Sequence, residues 1–206
     1  MPNRVFLRWT GAALAAGGAL DFLINACLTP LLPRGVSFAE TVASPIFPWR
    51  AGMAAAAAAL LMFGSVGLYL RQAERAGRFG AVAFAVALVG SALVLATEWI
   101  QLFDIRDLAL RAPQTLTKLQ AGPGLSLFDV GALVAVGTFT LGWVALAVVT
   151  LRARILSRGA AILVIAGFFA TPSLQPLLPG VWGAVVSNSI LGAGWLWLGY
   201  EIVERQ

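Results

Sequence analysis

Residues 51–103 read AGMAAAAAALLMFGSVGLYL, then RQAERAGR, then FGAVAFAVALVGSALVLATEWIQLF. A helix that crosses a bilayer needs about 20 predominantly apolar residues. Ala51 to Leu70 and Phe79 to Phe103 each meet that length, and the segment between them carries Arg71, Arg75 and Arg78. The stretch therefore reads as a helical hairpin, two spans joined by a short basic turn. Outward from it lie runs of the same kind: Val5 to Leu28, Phe128 to Leu151, Gly159 to Leu178 and Val181 to Ile202. The expected fold is all-α, a polytopic membrane bundle of six transmembrane helices. It forms one domain over residues 1–206, with both termini on the same side.

Composition agrees. The chain is 60% hydrophobic and 11% charged, whereas soluble domains carry about 25% charged residues. Six spans consume nearly all of the length, so any chemistry is expected inside the bundle or at its rims. The single cysteine, Cys27, supports neither an intramolecular disulfide nor a dithiol redox centre. With no histidine, the usual ligands of haem, zinc and copper are missing, and neither a cofactor nor a metal site is expected. The only lysine, Lys118, lies between spans, which leaves no candidate for a buried Schiff base. Ile24-Asn25-Ala26-Cys27 resembles a lipoprotein cleavage site, but Asp21 and Asn25 disfavour cleavage, and the first helix is expected to be retained.

Orientation follows from arginine. Arg4, Arg8, Arg71, Arg75, Arg78, Arg152, Arg154, Arg158 and Arg205 fall on one side, nine of the fourteen basic residues. Basic residues favour the cytoplasm, so both termini are expected there. Trp9, Tyr69, Trp195, Trp197 and Tyr200 are placed near the cytoplasmic rim, with Trp49, Trp99 and Trp182 near the other, as interfacial anchors. The net charge of +5 reflects this arginine bias. No basic groove is interleaved with aromatics, so nucleic acid is not expected as a partner.

Small residues at Gly11/Ala15, Gly52/Ala56, Gly131/Ala135 and Gly183/Ser187 would let helices approach closely, within the chain or between copies. A faint parallel repeat relates Leu68 to Ala81 and Val149 to Ala161. Pro172, Pro176 and Pro179 predict that the fifth span kinks or ends near Thr171, with Pro172 to Gly180 forming a rim segment. Thr29 to Arg50, with four prolines, is expected to be irregular. Ile105 to Gln120 suits one short amphipathic surface helix, closed by Gly122-Pro123-Gly124.

The chemical clue is a polar layer. Asp21 and Asn25 lie one turn apart on the first span, past its midpoint, and Glu98 with Gln101 falls at similar depth on the third. Asn188 on the sixth span reaches the same layer, and Arg50, opening the second, is the nearest counter-ion. An ionised carboxylate at such depth costs on the order of 2.5–3.5 kcal/mol, so it should face the interior and mark a functional site. Asp129 opens the fourth span, while Asp104, Arg106 and Asp107 are expected as solvated rim charges.

Thr140 to Tyr200, with RGAAILVIAG at 158–167 and GAGWLWLGY at 192–200, resembles small bacterial six-helix membrane proteins grouped only as domains of unknown function. The resemblance implies a helical bundle in a bacterial cytoplasmic (inner) membrane and brings no activity or site residues. Three functions stay open at this level. One is a protein that binds or transports a lipid or small amphipathic or cationic ligand in an outward-facing pocket lined by Asp21, Asn25, Arg50, Glu98, Gln101 and Asn188. Another is an accessory subunit without chemistry of its own that docks a larger membrane complex. The third is a membrane enzyme with Glu98 or Asp21 as the catalytic proton donor to a prenyl-like substrate. Phosphate-binding glycine loops and a Ser/His/Asp constellation are absent.

Overall fold

The computed structural model describes residues 3–120, 124, 126–174, 177–178 and 181–205, and among these every regular element is helical. Eight α-helices follow one another: α1 (Arg4–Leu23), α2 (Phe38–Ala43), α3 (Phe47–Ile100), α4 (Arg106–Arg111), α5 (Pro113–Gln120), α6 (Leu127–Ala153), α7 (Arg158–Leu174) and α8 (Trp182–Glu204). Three helical stretches, Arg4–Leu31, Phe47–Arg111 and Leu127–Ala153, are long and apolar enough to cross a membrane, and Arg158–Ala170 is a shorter apolar helix.

The expected basic turn after Leu70 is helical almost throughout, and the reversal is concentrated at Gly77, whose φ of 58° and ψ of −160° suit only a residue without Cβ. Around it α3 folds back on itself. Arg50 meets Glu98, and the rings of Tyr69 and Phe84 stack at 4.7 Å. The first arm packs against α1 and the second against α6. Helix α8 packs against α1 and α7, and α7 packs against α6. The six long segments thus close into a ring.

Glycine sets the spacing around that ring. A Cβ on Gly64 would lie 2.6 Å from Leu14 Cβ, joining α3 to α1. One on Gly142 would lie 2.3 Å from the Ala87 backbone, joining α6 to α3, and one on Gly199 would lie 2.3 Å from the Ala15 backbone, joining α8 to α1. With no hydrophobic drive between apolar helices in lipid, such close backbone packing is a main source of association. Two of the anticipated small-residue faces do not serve this purpose: Gly52 meets only Leu102 Cδ2, at 3.8 Å, and Gly131 faces open space.

The long connections form a cap. Thr29–Leu31 is a 3₁₀ turn and α2 follows, so the segment expected to be irregular is half helical. Helix α2 begins with a capping box in which Ser37 and Glu40 bond reciprocally. The hydrogen bonds from the Ser37 backbone N–H and hydroxyl hold the Glu40 carboxyl below the usual glutamate range. The anticipated single amphipathic helix is two, α4 and α5, broken at Ala112 before Pro113. Ala39, Val42, Phe47, Ala51, Ala109 and Leu116 form a separate apolar core at this end. Arg106 is not a solvated charge: its Nη1 donates to the carbonyls of Val42 (2.7 Å) and Ser44 (3.0 Å), tying α4 to the end of α2.

At the arginine-rich end, buried Glu201 accepts the Ser157 N–H at 2.6 Å and pairs with Arg205 at 3.5 Å, anchoring the α6–α7 connection to α8. Helix α7 continues three residues beyond Thr171, to Leu174. Proline lacks an N–H but need not end a helix whose freed carbonyls find other partners. Pro176, Pro179 and Gly180 of the anticipated rim segment, like Gly122 and Pro123, lie outside the described residues.

Candidate functional site

Helix α1 does not end in an α-helical turn. Ile24–Leu28 is a single π-helical turn, and the Asn25 side-chain amide donates at 2.9 Å to the Asp21 carbonyl. In an uninterrupted α-helix that carbonyl would receive the Asn25 backbone N–H. The same amide reaches Asp21 Oδ1 at 3.2 Å, and Asn188 Nδ2 on α8 donates to Asn25 Oδ1 at 3.3 Å. A directed chain, Asn188 to Asn25 to Asp21, crosses from α8 to α1. Helix α3 also passes into a π turn, Gln101–Ile105, which begins three residues after Glu98. Such π turns recur at functional sites.

Arg50 Nη1 contacts both oxygens of Glu98, at 3.2 and 3.0 Å, with the two side chains 24% and 12% exposed. The hairpin therefore supplies its own internal ion pair. Asp21 has no ion-pair partner among the described residues, and its Oδ2 is buried without a hydrogen bond.

These groups face one cavity of about 430 Å³ at the centre of the ring, to which all six long segments contribute. That volume falls within the range of about 300–1,000 Å³ usual for small-ligand sites. Asp21, Asn25, Arg50, Glu98 and Asn188 all line it. Gln101 does not. It lies three residues beyond Glu98 along the chain, at the start of the π turn that leads into the cap, and is not part of the lining. Asp129 is also elsewhere, forming the α6 capping box with Ser126.

Away from the charged end, the wall consists of Ala57, Ala58 and Leu61 on one side, and Phe139, Phe168 and Trp195 on the other. The last three rings pack edge to face at 5.8–6.0 Å, with Trp143 behind them. Trp195 is not the interfacial anchor expected from its position in the sequence. It is 1% exposed and its indole N–H has no hydrogen-bond partner among the described residues, although buried indoles usually find one.

The sequence contained a signal for this wall. Asn188, Leu191 and Trp195 lie at i, i+3 and i+7, and Arg50, Ala54, Ala57 and Leu61 at i, i+4, i+7 and i+11, each set along one helical face. Carrying the polar face inward along its own helix would have found the apolar end. Nothing local marks Phe139, Thr140 or Phe168. Along α3 the lining from Arg50 to Leu61 extends about 16 Å at ~1.5 Å per residue. Among the described residues no group of three potential ligands is placed to hold a metal ion. Comparison with protein-family models, with curated proteins and with solved structures finds no match to this chain.

Proposed function

We propose that this chain is a six-span protein of a bacterial cytoplasmic membrane, with both termini cytoplasmic, whose central cavity binds or passes on a small amphipathic molecule. The observation that carries the reading is the cavity's polarity. Ionisable and amide side chains gather at one end, aromatic and aliphatic side chains line the other, and both are reached from one space. A head group would sit among Asp21, Arg50, Glu98 and the two asparagines, with an apolar body running towards Leu61 and Trp195. An enzymatic role for Glu98 is disfavoured because both of its oxygens are already engaged by Arg50. The volume suits one chain or a compact ring system.

Native mass spectrometry with lipid analysis of the purified protein tests this. Ala58→Phe fills the cavity from a buried, lining position. A discrete molecule that accompanies the wild type and is lost from a folded Ala58→Phe protein supports the reading. Bulk lipid alone in both proteins, or the same molecule in both, overturns it in favour of an accessory subunit without a ligand. Sidedness is read from impermeant-maleimide labelling of intact cells in a Cys27→Ser background. Gln114→Cys on α5 should react and Glu74→Cys beside the hairpin turn should not, both being exposed positions.

A further inference from the structure

The cavity selects among amphipathic molecules by charge, and we infer that Asp21 is the subsite for a single positively charged ammonium head. This rests on the cavity being a binding site and adds what it binds. Among the described lining residues there are two carboxylates and one guanidinium. The guanidinium hydrogen bonds both oxygens of Glu98 and reaches Asp21 only through space, so two carboxylates share one cation. Asp21 Oδ1 receives the Asn25 amide, while Oδ2 has no donor among the described residues. Among the described residues the amide chain from Asn188 ends at Asp21, on its backbone carbonyl at 2.9 Å and its Oδ1 at 3.2 Å.

Asp21 also lies four residues deeper along α1 than Asn25, on the side of the apolar wall. Ala57, Ala58 and Leu61 line the same cavity as Asp21, and so does Trp195, a second buried polar group without a partner among the described residues. A bare metal ion or a small hydrophilic amine would leave that wall dry and unfilled. A neutral alcohol would hydrogen bond but leave the charge uncompensated. An acid would place like charges together. The matching chemistry is an ammonium group on one apolar chain or ring, either a simple alkylamine or the amine head of a single-chain lipid.

Binding of decylamine, 1-decanol, decanoic acid and a decanoyl lysophosphatidylethanolamine to the full chain in phosphatidylcholine nanodiscs tests this, with tryptophan fluorescence as readout and empty nanodiscs as the partition control. Decylamine should bind wild type at least about tenfold more tightly than decanol, the margin of a charge-assisted hydrogen bond. Asp21→Asn should abolish that margin, and Asp129→Asn, outside the cavity, should keep it. If the lysolipid matches decylamine and loses the same margin in Asp21→Asn, the ammonium subsite stands and its source is a lipid head group. Equal saturable binding of amine and alcohol, lost in Ala58→Phe, overturns the ammonium assignment but keeps the pocket. No saturable binding of any probe overturns both.

Discussion

Replacing Gly18 by alanine adds one methyl group at the α1–α8 contact. Its Cβ would lie 2.6 Å from the Gly192 carbonyl oxygen, 2.6 Å from the Leu196 nitrogen and 2.9 Å from Trp195 Cβ. Ordinary contact begins near 3.4 Å, so α1 and α8 must separate by about 0.8 Å. Two of the three obstructing atoms are backbone, and no side-chain rotation relieves them. Overpacking of this kind costs about 1–3 kcal/mol, and the backbone obstruction puts Gly18→Ala at about 2–3 kcal/mol. The contact is reciprocal, because a Cβ on Gly192 would meet the Gly18 carbonyl at 2.7 Å. Once the helices have parted for the first methyl the second meets less resistance, so the Gly18→Ala/Gly192→Ala double variant should lose less than the sum of the singles. Gly131→Ala is the opposite case: nothing lies within 4 Å, and the gain in helix propensity is about 0.8–1 kcal/mol. Unfolding titrations in mixed micelles followed by circular dichroism should therefore place these two alanine variants about 3 kcal/mol apart, on opposite sides of wild type. A Gly18→Ala protein within about 0.5 kcal/mol of wild type, or a Gly131→Ala protein as destabilised as Gly18→Ala, would refute glycine contact as the basis of ring closure.

Arg50→Met strands Glu98, 12% exposed, and should cost about 3–5 kcal/mol, whereas Arg50→Met/Glu98→Leu should return to within about 1 kcal/mol of wild type; a double variant no better than the single would show that the two charges are not coupled. Glu201→Ala removes the acceptor of the Ser157 N–H and should cost about 1–3 kcal/mol, with faster deuterium uptake confined to the start of α7 as its local mark. The Glu40 carboxyl is held below its ordinary range by Ser37. Its contribution to α2 is therefore present above the pKa of the unfolded chain and fades as pH falls through that value towards the lower folded one. After correction for intrinsic rates, α2 exchange in wild type should approach that of Glu40→Gln in acid and be slower near neutrality; a constant difference across pH would rule out this linkage.

Much of the molecule was decided along the chain itself. Apolar runs of the right length set the long helices, because desolvating a backbone in lipid demands that its hydrogen bonds close within the segment. Asp21 and Asn25 were legible as a pair because one turn of helix separates them, and Leu191 and Trp195 share the face of Asn188 for the same periodic reason. Gln101 was misjudged because a shared helical face does not say how far along the helix a cavity extends, and Trp195 because an aromatic towards a span's end is as suited to a core as to an interface.

Tertiary structure decided what local rules do not reach. Which helix neighbours which depends on glycines on one helix meeting backbone on another, as Gly142 meets Ala87 and Gly199 meets Ala15, and such complementarity exists only between segments. It is this closure of six segments into a ring, with Arg50 hydrogen-bonded to Glu98 and Asp21 Oδ2 left without a donor among the described residues, that turns scattered polar residues into one cavity with a charged end and an aromatic end.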